Sequence, residues 1–155
     1  MRDHADINAP IVEALYEEGL ELADRVRAAF DLSGRIDAAA EDEDFARIAL
    51  SCEALRCTTR MMHALAWLLN QRAYFNGEMS EFQLRRHGRL AKRQPDGNRQ
   101  QLAALPVRIV TLVAETQRFY QRIERLDAAW RERFAMQPPA IERLRQRLEA
   151  SLAAL

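Results

Sequence analysis

Few residues in this chain of 155 can attack a carbon, move a proton or hold a metal. There are two cysteines and three histidines. Cys52 and Cys57 are five apart, about 140° around a helix of 3.6 residues per turn. They point in different directions, so neither a mutual disulfide nor a shared metal is expected. His4 is terminal, His87 sits in a basic stretch, and His63 has no carboxylate or cysteine three or four residues away. A Glu-x-x-His pair, the ligand unit of a di-metal helical bundle, is absent because Arg60 and Leu84 occupy the positions three before His63 and His87. His-Glu-x-x-His, a Gly-rich phosphate loop, Gly-x-Ser-x-Gly and Cys-x-x-Cys are absent too. Cys57 could be a reactive thiol, yet a free helical cysteine ordinarily serves as a small core hydrophobe. The expectation is a protein that is not an enzyme and uses no metal or cofactor.

The residues able to recognise a partner are cationic. Arg85, Arg86, Arg89, Lys92, Arg93 and Arg99 fall in one stretch whose only acid is Asp96. Such a cluster suits an acidic protein surface or a phosphate, and Arg85, Arg86, Arg89, Lys92 and Arg93 are the expected partner-binding residues. A nucleic-acid-associated regulator using the Arg85–Arg99 patch is the alternative. It is disfavoured because the cluster lacks interleaved aromatics and the long helices do not resemble a compact helix-turn-helix. Residues 1–50 carry thirteen acids and five bases, and the remainder carries ten acids and eighteen bases, so the net charge is zero. That balance excludes a globally basic nucleic-acid binder, and the opposed ends suit docking or self-association.

The elements that must position these residues are helical. Hydrophobic residues make up 48% of the chain, with only five Gly and five Pro, too few turns for a sandwich or barrel. The longest apolar run, Ala64–Leu69, is far below the roughly 20 residues of a membrane span, and no apolar leader follows Met1, so a cytoplasmic protein without membrane contact is expected. One amphipathic helix runs from Pro10 to about Leu32, with a cap at Gly34. A second runs from the acidic stretch at residues 41–44 to about Asn76 and stops at Gly77. Ile48, Leu55, Met62 and Leu69 repeat every seven residues along it. Only a narrow strip through Glu53, Arg56, Arg60 and Gln71 is polar. A helix apolar on almost every side needs cover on several sides. A short helix, about Glu81–Arg89, leads into the loop Arg93–Asn98, and a third long helix begins near Leu105–Pro106 and ends before Gln137. An amphipathic segment then carries Ile141, Leu144, Leu148, Leu152 and Leu155.

The predicted architecture is all-α: a three-helix bundle with a long central helix, a short basic connector helix and a C-terminal amphipathic segment. Residues 1–137 form the bundle domain and 138–155 the segment, docked or flexible. Two long neighbours leave part of the central helix uncovered, which predicts a homodimer. Met61, Leu65, Trp67, Leu68 and Tyr74 are placed at its interface; cover by the chain's own C-terminal segment is the alternative.

Leu55-Arg56-Cys57-Thr58-Thr59-Arg60-Met61-Met62, then Trp67-Leu68-Leu69-Asn70-Gln71-Arg72-Ala73 and the turn Gly77-Glu78-Met79, resemble the RcdA family of Alphaproteobacteria, the regulators of CtrA degradation. The likeness is dense from about Leu50 to Arg86 and extends in helix order over about Ile11 to Phe134. The resemblance implies a dimeric three-helix bundle without catalytic activity. It implies an adaptor that helps deliver cell-cycle regulators to the ClpXP protease, with ClpX or a co-adaptor and response-regulator-type proteins as partners.

Overall fold

The computed structural model describes residues 7–33, 42–135 and 140–153. The cap expected at Gly34, the terminal His4 and the boundary at 137–138 lie outside the described residues. The chain is all-α, but the expected three-helix bundle with one long central helix is corrected: six helices are present among the described residues. They are α1 (Ala9–Ser33), α2 (Asp42–Phe75), α3 (Glu81–His87), α4 (Arg99–Ala103), α5 (Val107–Ala135) and α6 (Ala140–Ala153). Local capping starts both α3, the expected short connector helix, and α4, which was not expected. Ser80 and Gln83 form a reciprocal capping box that starts α3. Asn98 accepts the Gln101 amide at 2.8 Å and starts α4, which the sequence pattern did not separate from the loop.

α2 stops where expected. Gly77 adopts φ +77°, and Glu78 and Met79 donate back to the Ala73 carbonyl at 2.8 and 3.2 Å. A left-handed residue at this position satisfies the orphan carbonyls of the last turn, and glycine meets no Cβ penalty there.

α1 runs antiparallel to α2, with Glu13 on Arg72 at 2.6 Å near one end. α5 runs parallel to α2: Cys57 lies by Thr116, Trp67 by Asp127, and the Tyr74 ring by that of Trp130. Parallel neighbours require the chain to return along the bundle between them. Residues 76–106 make that return, with α3 at one end, α4 further along, and an extended strap (88–98) between them. The Tyr120 hydroxyl donates to the Ala91 carbonyl and holds the strap against α5.

The strap changes which side of α2 is inside. Glu53, Arg60 and Gln71 are 1%, 8% and 0% exposed, so the polar strip faces inward. Arg60 donates to the Thr116 hydroxyl at 2.7 Å and meets Asp96 of the strap at 3.5 Å. The seven-residue repeat faces out: Ile48, Leu55, Met62 and Leu69 are all exposed. Its physical reason is that α5 and the strap supply partners for the charges on one side, whereas among the described residues no element lies over the other. The core is built from Val12, Leu22 and Val26 of α1, Met61, Trp67 and Leu68 of α2, and Ile109, Phe119 and Ile123 of α5.

Trp67 donates its indole N–H to Asp127 at 3.0 Å, and Asp127 is almost wholly buried. In Trp67→Phe that carboxylate loses a donor and keeps, among the described residues, its ion pair to Arg131 at 2.8 Å. The variant is expected to lose about 1–3 kcal/mol, read as a lower urea midpoint at unchanged slope.

Candidate functional site

Leu84 anchors the basic face. It is 1% exposed and pins the seven-residue α3 to the bundle, so that its neighbours project outward. Gly88 closes the helix, donating its amide to the Leu84 carbonyl at 2.7 Å. The basic residues then divide by partner. Arg85 pairs with Glu81 one turn earlier at 2.8 Å, and Arg93 with Asp96 at 3.4 Å. Arg86, Arg89 and Lys92 are exposed and make no ion pair among the described residues. All five expected partner-binding residues therefore lie on α3 and the strap.

α5 contributes a cation that sequence reasoning missed. Arg131, held by Asp127, faces Arg85 and Arg89 across a cleft of about 280 Å³ that Trp130 and Leu84 also line. The signal was present only as an Asp127–Arg131 pair at helical spacing; nothing local connects it to residues 85–89. Three guanidinium groups beside an indole form a surface suited to carboxylates, because planar guanidinium pairs with carboxylate in bidentate geometry.

Asp96 joins the strap to the bundle, taking Arg60, Arg93 and the Gln117 amide at 3.5, 3.4 and 3.0 Å. Next to it, Gly97 lies against the Glu53 carboxylate: a Cβ there would come within 2.7 Å of Oε2 and 3.1 Å of Arg56 Nη1. Glu53 is paired with Arg56 at 3.2 Å. The face is thus carried by a strap fixed at several points.

The residues assigned to a dimer interface occupy a different place. Met61, Trp67 and Leu68 are buried within the bundle and Leu65 and Tyr74 half-buried, Tyr74 stacking edge-on against Phe75 and Trp130. The large exposed apolar side chains of α2 are instead Phe45, Ile48, Leu55, Met62 and Leu69.

Cys57 is wholly buried, and its thiol is pushed up from the ordinary value, mainly by burial; hydrogen bonding to Thr116 and the nearby Arg60 oppose this in part. A raised thiol is mostly protonated at neutral pH and a poor nucleophile. His63 is half-buried, and no group of three His, Cys, Asp or Glu able to hold a metal occurs among the described residues. No helix among them is long and apolar enough to cross a membrane.

Compared with known proteins, residues 4–152 match the family described as "Protein of unknown function (DUF1465)". No curated protein and no solved structure matches.

The two thiols should separate in a labelling experiment. At pH 7 a thiol-reactive probe is expected to modify half-buried Cys52 first, with Cys57 reacting at least tenfold more slowly and reaching an ordinary rate on unfolding; mass spectrometry of the labelled peptides reads both.

Proposed function

This chain belongs to the DUF1465 family, and we propose that it works as a non-catalytic adaptor, a helical scaffold that docks other proteins and acts as a homodimer. The observation that carries this reading is the fixed basic face, where Arg86, Arg89 and Lys92 project without ion pairs among the described residues beside the Arg85–Arg89–Arg131 cleft. Exposed cations on a rigid support raise association rates with acidic partners and bias them against basic ones. The resemblance to RcdA-like adaptors supplies the finer proposal: cell-cycle regulators are delivered to ClpXP, with ClpX or a co-adaptor on one side and response-regulator-type cargo on the other. The burial and raised thiol of Cys57 favour a scaffold over thiol chemistry.

The test is affinity capture from lysate with the wild-type chain and with a triple variant carrying Arg86→Glu, Arg89→Glu and Lys92→Glu. All three side chains are exposed, so the fold is expected to survive. The wild type is expected to recover protease components together with response-regulator-type proteins, and the variant at least tenfold less. Recovery of neither class would overturn the adaptor reading, and equal capture by both chains would remove the basic face as its docking site. Tight DNA binding that weakens steeply with salt would instead favour the nucleic-acid reading.

A further inference from the structure

The outward side of α2 has the composition of an interior. Between Arg47 and Arg72, about 35 Å of helix, the charged residues are Glu53, Arg56 and Arg60, and none of them is exposed. What faces outward is Ile48, Leu55, Met62 and Leu69, 47–69% exposed, with Ser51, Thr58 and Ala66 between them. The side is continued by an apolar groove of about 480 Å³ between α1 and α2, which Met62 and Thr58 share with Ala23, Val26, Phe30 and Leu65. With Phe45, these side chains present on the order of 500 Å² of apolar surface, at the upper end of what a monomer leaves in water.

α6 has the matching defect. Its 14 residues are too few to hold a helix alone in water. Its apolar stripe, Ile141, Leu144, Leu148 and Leu152, is 57–81% exposed. That stripe spans about 16 Å, the same length as Ala54–Leu65 on the groove's α2 wall. Charge agrees with this fit. α6 carries Arg143, Arg145 and Arg147 against Glu142 and Glu149. On the groove's α1 rim stand Asp24 and Asp31 with Arg27 between them, all well exposed, and among the described residues the two carboxylates share long contacts of 3.7 and 3.9 Å to Arg27.

We propose that α6 of a second copy of this chain lies in the α1–α2 groove and over Leu55 and Met62, with the exchange made reciprocally across a two-fold axis. The proposal rests on the homodimer reading above and supplies its contact surface. The chain's own α6 is badly placed for the role. It starts at Ala140, five positions beyond the end of α5 at Ala135, which itself lies a turn and a half past the Tyr74–Trp130 contact and so roughly 21 Å along the helices from Leu65, the near end of the groove. Five residue steps reach at most about 18 Å. Area points the same way, since a stable interface buries about 800 Å² per partner. The α2 side alone falls short of that; with α6 added, each copy presents enough.

The experiment is sedimentation equilibrium on the full chain, on a Leu144→Glu/Leu148→Glu variant, on a Met62→Glu variant, and on the two variants mixed. All three substituted residues are exposed in the single chain, so unchanged helical signal and melting of the diluted protein verify the fold. The wild type is expected to dimerise, and each variant alone at least tenfold more weakly. The mixture restores one intact α6–groove pair and is expected to form a heterodimer about tenfold tighter than either variant's homodimer. Wild-type affinity in either variant alone would overturn the proposal while leaving a homodimer formed elsewhere. A mixture no tighter than its components would show that α6 does not cross between copies. A wild type that stays monomeric at about 100 μM would remove the homodimer itself and the clasp with it.

Discussion

Arg60 must find partners inside the bundle, and much of the fold's arrangement depends on that requirement. An unpaired charge moved from water into packed protein costs several kcal/mol, so a buried guanidinium survives only where acceptors are brought to it. Thr116 of α5 and Asp96 of the strap meet that need from two separate parts of the chain. Thr116 in turn donates to the Val113 carbonyl at 2.7 Å, which fixes the orientation of its hydroxyl. Because these acceptors sit between α2 and α5, the polar strip of α2 turns inward. The apolar repeat on its other side is then left facing out.

The same constraint organises the basic face. A segment rich in Arg and Lys, with a proline and two glycines, has little reason to keep one conformation in water. Here the strap is tied by Tyr120 to Ala91, by Asp96 to Arg60 and Gln117, and by the close approach of Gly97 to Glu53. Internal carboxylates already engage Arg85 and Arg93, so the outward charge is concentrated on Arg86, Arg89 and Lys92. Fixation and outward charge therefore come from the same residues 88–98: their acidic and backbone groups hold the strap, and Arg89 and Lys92 face outward.

α1 completes the bundle by a different route. Val12, Leu15, Leu22 and Val26 enter the core at the spacing its sequence displays. Its acidic face then meets α5 and α2 through Glu18–Arg122 at 2.6 Å and Glu13–Arg72 at 2.6 Å, while Arg25 reaches Glu115 at 2.7 Å. These pairs are partly exposed and individually weak. Their sign pattern favours one register of α1 against α2 and α5, with α1 supplying the acid in two of the three pairs.

Apart from α4, helix positions were legible in the sequence because their causes are local. Gly77 ends α2 since only a left-handed residue closes that turn without strain, and Ser80 with Gln83 starts α3 by satisfying two backbone amides. The all-helical class, the absence of familiar catalytic motifs and the basic cluster were legible for the same reason. The inward side of α2 was not. Periodicity states the angle between Arg60 and Met62, but it does not say which of them faces the neighbours. Two sides of the helix were apolar enough to be core, and the choice fell to acceptors 36 and 56 residues away in sequence. The parallel course of α5, the placement of Arg131 opposite Arg85 and Arg89, and the burial of Trp67 and Leu68 were decided likewise by tertiary contact. Sequence by itself determined the helical segments and the order of their charges; the folded chain decided which side of α2 meets water, because desolvating a charge requires partners that only the three-dimensional structure can bring together.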